Sequence, residues 1–175
     1  MSAPKIMQAS RKIVPYESLA SWRAHLNETN RPFVVTNGCF DLLHPGHLFL
    51  LEKARELGNT LLVGVTGDEA IRMLKGPGRP AMPARDRLLL LSSLEPVSNV
   101  CLFPEVDALS FLRTAQPDIY VKGGDYNIES INQEERRFLE GAGVKIKIIP
   151  RFELQSSSAI FERIAKRTTG GDLAA

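Results

Sequence analysis

The feature that most constrains this chain is an alternation. Five short apolar, β-branched runs recur, and between them lie segments with helical spacing, punctuated by glycine and proline. The runs are Phe33-Val34-Val35, opened by Pro32 and ending at Thr36, then residues 60–65, 99–103, 118–121 and 144–149. An apolar run such as Phe33-Val34-Val35 reads as a strand covered on both faces. Helices are predicted over residues 45–57, 68–74, 84–94, 107–115, 131–140 and 158–167. The first of these has Pro45 in its opening turn and Gly58 as its stop, the usual asymmetry of helix ends. Upstream, Leu19, Trp22 and Leu26 predict a helix over 16–27. Strands alternating with helices give an α/β fold of one domain. It is expected to be a doubly wound, five-stranded parallel sheet of order 3-2-1-4-5. The segments divide as a lead-in and helix over 1–31, with 1–14 loose, the sheet domain over 32–167, and a flexible tail over 168–175.

Composition narrows the function classes. With 22 basic and 20 acidic residues the net charge is +2, too balanced for the dense basic face of a nucleic-acid binder. No stretch is long and apolar enough for a membrane span, and the first twelve residues lack a secretory apolar block. The expectation is a cytoplasmic protein. Cys39 and Cys101 have no metal-type spacing and read as free thiols.

Open sheets of this kind bind ligands beyond the carboxyl ends of their strands, where the strand order reverses. The first strand runs into Thr36-Asn37-Gly38-Cys39-Phe40-Asp41-Leu42-Leu43-His44-Pro45-Gly46-His47. His44 and His47 flank a helix start, where unpaired backbone N–H groups and the helix dipole favour phosphate. Three residues apart, their rings can converge on one ligand; Gly38 and Gly46 let a phosphate approach the backbone. The alternatives are a helix cap plus a packed imidazole, or a metal site lacking its remaining ligands.

After the second strand, Gly64 offers room for a flat ring, and Asp68 can orient a ligand or cap a helix. The loop Lys75-Gly76-Pro77-Gly78-Arg79-Pro80 carries two cations suited to phosphate, and Arg87 is left open. The fourth strand runs into Lys122-Gly123-Gly124-Asp125-Tyr126, read as a loop facing the histidines. There Lys122 suits a phosphate and Asp125 suits sugar hydroxyls. Ser156-Ser157-Ser158 precede the last helix, again a phosphate-type helix start.

Asn37-Gly38-Cys39-Phe40-Asp41 followed by His44-Pro45-Gly46-His47 resembles the signature of the cytidylyltransferase-like nucleotidyltransferases, whose H-x-G-H pattern opens the first helix of a Rossmann-like fold. That resemblance implies that the paired histidines bind a triphosphate and stabilise its transition state, with Thr36 to Phe40, Gly46, Gly64, Asp68 and the three serines on the nucleotide. Lys75 joins the histidines as a candidate catalytic group. Asp41, Arg79, Lys122, Gly123, Gly124 and Asp125 fall to the acceptor phosphate or sugar. Two departures stand out, Gly67 where relatives carry a hydroxyl and Gln155 where they carry arginine.

The 75–80 loop, Val121 to Tyr126 and the serine cluster together resemble the adenylyltransferase domain of ADP-heptose synthesis, over about residues 32–164. What this implies is transfer of AMP from ATP to D-glycero-β-D-manno-heptose 1-phosphate, with Mg²⁺ carried on the ATP. It also implies a homodimer and a form standing apart from the sugar kinase to which such domains are often fused. The competing expectations are a CTP-dependent cytidylyltransferase of glycerol 3-phosphate or a similar alcohol phosphate, and a non-catalytic nucleotide-binding module.

Overall fold

A computed structural model of the chain describes residues 5–26, 28–124, 126–150 and 160–164. The five strands are β1 (Phe33–Gly38), β2 (Thr60–Thr66), β3 (Asn99–Phe103), β4 (Ile119–Gly124) and β5 (Lys145–Pro150). They form one sheet of order β3-β2-β1-β4-β5, and every pairing is parallel. The helices are α1 (Lys5–Ser10), α2 (Leu19–Ala24), α3 (Pro45–Arg55), α4 (Asp68–Lys75), α5 (Ala84–Ser92), α6 (Leu109–Ala115) and α7 (Gln133–Gly141). The expected fold class and strand order are therefore present. Among the described residues no helix is long and apolar enough to cross a membrane.

The period of two along each strand divides the core. Phe33, Val35, Leu62 and Tyr120 pack with Leu19 of α2, Phe111 and Leu112 of α6 and Leu139 of α7. Val34, Leu61, Val63 and Val121 face the other way, onto Leu51 and Ala54 of α3 and Leu88 and Leu91 of α5. Burying each such side chain contributes about 2 kcal/mol, so both faces anchor the sheet whose upper edge carries the site. By the same alternation, Asn37 and Lys122 project from the α6/α7 face.

Several local expectations change. The lead-in is not loose through residue 14. Ile13 bridges Val100 in parallel, Val14 N–H donates to Val100 O at 2.8 Å, and the Lys12 ammonium donates to Val97 O at 2.7 Å. This short segment covers the outer edge of β3, which would otherwise present unpaired backbone. The single helix predicted over 16–27 is a 3₁₀ turn, Tyr16–Ser18, leading into α2. Lys122, Gly123 and Gly124 are the end of β4, paired with Ile148, Ile149 and Pro150, and not a loop. Glycine there serves a close approach: a Cβ on Gly123 would lie 2.6 Å from Leu50 Cδ1.

Candidate active site

The site sits at the carboxyl ends of β1, β2 and β4. A cavity of about 540 Å³ opens there, bordered by residues of the β1–α3 turn, by His47 of α3, Lys75 of α4, Lys122 of β4 and Glu135 of α7. Its size is in the range of small-ligand clefts.

The β1–α3 turn is built by one strained residue. Phe40 takes a left-handed φ of 47°, which costs a side-chain-bearing residue about 1 kcal/mol. Burial of its ring in the α3/α5 core compensates. The ring also lies against His47, with centroids 5.1 Å apart. His44 then stands extended at the N-cap, Pro45 opens α3, and His44 O accepts from His47 N–H at 2.9 Å. The two imidazoles stack, with centroids 3.8 Å apart and planes at 27°.

Two like groups this close resist double protonation. Burial is the main force on His47, reinforced by the positive charges of His44 and Lys75, and its pKa falls to about 4. His47 Nδ1 is buried with no hydrogen-bond partner among the described residues. Before any anion arrives, His47 is therefore a neutral ring at neutral pH.

Lys122 lies across the sheet edge from the histidines and is only 9% exposed. Its ammonium sits 5.6 Å from the Tyr120 ring centre and 5.1 Å from that of Tyr126. Burial pushes its pKa down, opposed chiefly by the negative charge of Glu135. Nearby, the Tyr120 hydroxyl donates to Asn37 Oδ1 at 2.6 Å, fixing that amide at the mouth of β1. Gly38, Cys39 and Gly123 also border the cavity. Gly124, at φ 84°, turns the chain out of β4. Gly46 lies within the first turn of α3.

Five of the expected ligand residues are engaged within the protein itself. Gly64 is fully covered, and the flat ring against it is the protein's own: a Cβ there would lie 2.6 Å from Phe111 Cε1. The Thr36 hydroxyl is buried and donates to Val121 O at 2.9 Å, tying β1 to β4. Asp68 accepts from Arg87 at 2.6 Å and from Ala84 N–H at 3.2 Å, so it clamps α4 to α5. Arg87, 1% exposed, completes that clamp by donating to Cys39 O at 2.6 Å and Met82 O at 3.0 Å.

The remaining two form one pair. Arg79 does not reach into the cavity as a phosphate fork. Its Nε donates to Asp41 Oδ2 at 2.5 Å, and its guanidinium lies 3.8 Å over the Phe161 ring. Asp41, 1% exposed, also accepts from Ala81 N–H at 2.7 Å and Met82 N–H at 3.3 Å. Its carboxylate pins the 75–82 loop to the β1–α3 turn and is spent internally, although the residue borders the cavity. Asp125 and Ser156, Ser157 and Ser158 lie outside the described residues.

The sequence reading missed the α7 wall. Glu135, Asn132, Ser130 and Tyr126 border the cavity, as do Asp107 and Ala108 ahead of α6. Asn132 Oδ1 accepts from Glu134 N–H at 2.9 Å and Glu135 N–H at 3.3 Å. Asn132-x-x-Glu135 was legible as a capping pattern. Nothing in it said that Glu135 would leave its own helix and accept from Ala108 N–H at 2.8 Å.

Among the described residues no group of three or more His, Cys, Asp or Glu side chains is placed to hold a metal ion. On the cavity wall, Lys75, Lys122 and His47 are the groups that suit a polyanion.

Comparison with known proteins bears on the family and the fold. The cytidylyltransferase-like family profile matches residues 35–163. The bifunctional protein HldE of Trichlorobacter lovleyi is 38% identical over 158 residues, covering 90% of this chain and 32% of that protein. HldE of Citrifermentans bemidjiense is 40% identical over 153 residues, covering 87% of this chain and 31% of that protein. This chain thus spans about a third of the length of these relatives. Among solved structures, the lipopolysaccharide core biosynthesis protein of Thermoplasma volcanium aligns with a TM-score of 0.56 at 27% identity, covering 70% of this chain and 98% of that one. A pantoate–β-alanine ligase from Francisella tularensis aligns with a TM-score of 0.60 at 14% identity, covering 93% and 81%, which shows a shared fold.

Proposed function

Because the chain belongs to the cytidylyltransferase-like family of nucleotidyltransferases, we propose that it transfers AMP from ATP to D-glycero-β-D-manno-heptose 1-phosphate, giving ADP-heptose and pyrophosphate. The observation that carries this reading is the convergence of His47, Lys75 and Lys122 on one cavity at the start of α3. The relatives named HldE and the lipopolysaccharide core biosynthesis protein support the sugar assignment.

A phosphate oxygen of the acceptor attacks the α-phosphorus of ATP. The bond from that phosphorus to the bridging oxygen breaks, and pyrophosphate leaves in line. The nucleophile is already an anion, so no strong general base is required; the protein's work is positioning and charge stabilisation. The triphosphate meets the N-terminus of α3 and the two imidazoles. His47 takes up a proton or donates its one N–H as charge grows on the bridging oxygen, while Lys75 and Lys122 hold the two anions together. ATP enters as its Mg²⁺ complex, the ion held by phosphate oxygens and water. An enzyme drawing on ATP in this way belongs in the cytoplasm, and we expect a homodimer, checked by light scattering.

Pyrophosphate release, measured with ATP and CTP against heptose 1-phosphate and glycerol 3-phosphate, tests the reading. Turnover only with ATP and the heptose supports it; preference for CTP with glycerol 3-phosphate rejects it.

A further inference from the structure

The cavity crosses the sheet edge, and its two sides differ in chemistry. On the α3 side stand His47, with His44 stacked on it, and a helix N-terminus. On the α6/α7 side stand Asn37, Lys122 and Glu135. An in-line transfer brings two anions together from opposite sides of one phosphorus. With the triphosphate on α3, the acceptor phosphate falls to Lys122, so the acceptor's remaining atoms lie along the wall beyond it.

That wall contains a group that a phosphate site alone does not call for. Glu135 is a carboxylate only 5% exposed, and it borders the cavity. An ionised carboxylate in such a place is costly unless it is well partnered. One oxygen accepts from Ala108 N–H at 2.8 Å, and the charge is offset by Lys122. Asn132 fixes the helix turn from which Glu135 projects, so the group is held in place. A carboxylate is acceptor-only, with room for about four hydrogen bonds. Ala108 N–H and the neighbouring Tyr120 hydroxyl take up part of this capacity, and the rest is available on the cavity wall. Next to a phosphate held on Lys122, the matching donors are hydroxyls on the carbons bearing that phosphate.

We infer that Glu135 is the specificity-determining residue of the acceptor side, binding hydroxyl groups of a polyhydroxylated phosphate and so selecting sugar phosphates over simple alkyl phosphates. The inference rests on the proposed reading that the cavity takes a phosphorylated acceptor. It goes further in assigning the hydroxyl-reading role to a residue of α7. The same wall explains why the Ala108 amide, ahead of α6, is capped from another helix: the cap orients the carboxylate toward the cavity.

The test is calorimetric binding in the presence of a non-hydrolysable ATP analogue. The probes are methyl phosphate and two aldose 1-phosphates, D-mannose 1-phosphate and D-glycero-β-D-manno-heptose 1-phosphate. For the unaltered protein, the better aldose 1-phosphate should bind at least about tenfold more tightly than methyl phosphate, the scale of one hydrogen bond to a charged acceptor. Glu135→Gln keeps an oxygen for Ala108 N–H and removes the charge. It should erase most of that preference while leaving methyl phosphate affinity within twofold and Tm nearly unchanged.

No preference for either sugar in the unaltered protein, or an undiminished preference in Glu135→Gln, overturns the inference. So does an equal loss for all three probes, which would mark a purely structural role. If Glu135→Gln does not fold, Glu135→Asp, which withdraws the charge by one methylene, is read on the same ratio, and an unchanged ratio overturns the inference as well. Turnover is measured separately. A sugar preference that depends on Glu135, with no pyrophosphate release, would sink the proposed reaction and leave this inference standing.

Discussion

Replacing His47 by asparagine should change how stability depends on pH, in a direction set by the structure. In the unfolded chain a histidine titrates near 6.5, and in the folded protein His47 is held down to about 4 by burial, His44 and Lys75. Between those values the unfolded chain binds a proton that the native state refuses. Stability therefore rises with pH through this window and is lost as the pH falls from about 6.5 toward 4. At about 1.4 kcal/mol per unit, moving from pH 7.5 to pH 5.0 costs the native protein about 2 kcal/mol through this one group. Because the ring borders an open cavity, solvent screening reduces this toward about 1 kcal/mol. Urea unfolding at the two pH values, for the unaltered protein and His47→Asn, isolates the effect, because the other titrating groups largely cancel in the difference. The unaltered protein should lose more stability on acidification than the variant by about 1–2 kcal/mol. Parallel losses, within about 0.5 kcal/mol, would mean that His47 is not held neutral and that the crowded-imidazole picture is wrong.

Three further outcomes follow from the same contacts. His47→Ala should leave far-UV circular dichroism intact and lower kcat at least ~100-fold, the scale of losing one transition-state donor; near-normal turnover would remove His47 from its proposed role. Asp41→Asn should destabilise the protein by about 3 kcal/mol in urea unfolding, because it strips the counter-charge from a largely buried Arg79. A loss below about 1 kcal/mol would show that Phe161 and solvent suffice for that guanidinium. Gly64→Ala should cost about 1–3 kcal/mol by displacing the Phe111 ring that fills its place, and a neutral result would mean that α6 shifts freely.

What the sequence disclosed follows from what repeats along it. Strand runs such as Phe33-Val34-Val35 carry their own period, so the sheet and its order were legible, as was the turn bearing His44 and His47. What stayed hidden depends on partners distant in the chain. Arg79 reads as a phosphate ligand until Asp41, thirty-eight positions earlier, is seen beside it. Gly64 reads as an opening until Phe111 is found in it. Glycine at 123 and 124 signals a turn locally, yet β5 pairs with both positions and only the approach of Leu50 explains the residue choice at 123. Glu135 carries no signal beyond a capping pattern, because a glutamate in the first turn of a helix is ordinary.

These partnerships also bear on how the cavity attracts a polyanion. Arg79, expected to face it, is neutralised by Asp41, and Arg87, whose role the sequence left open, is locked onto Asp68. The attraction left to the cavity comes from Lys75, Lys122, His47 and the N-terminal dipole of α3. Burial lowers the pKa of both His47 and Lys122, so each is charged at an energetic cost that an arriving phosphate relieves. That relief is larger for a dense, multiply charged group bridging both sides than for a single phosphate on either one. The cavity is thereby biased toward the state with triphosphate and acceptor present together, the state from which transfer can occur. Glu135 sharpens the bias from the acceptor side, since its carboxylate offers acceptors to hydroxyl donors beside a phosphate on Lys122.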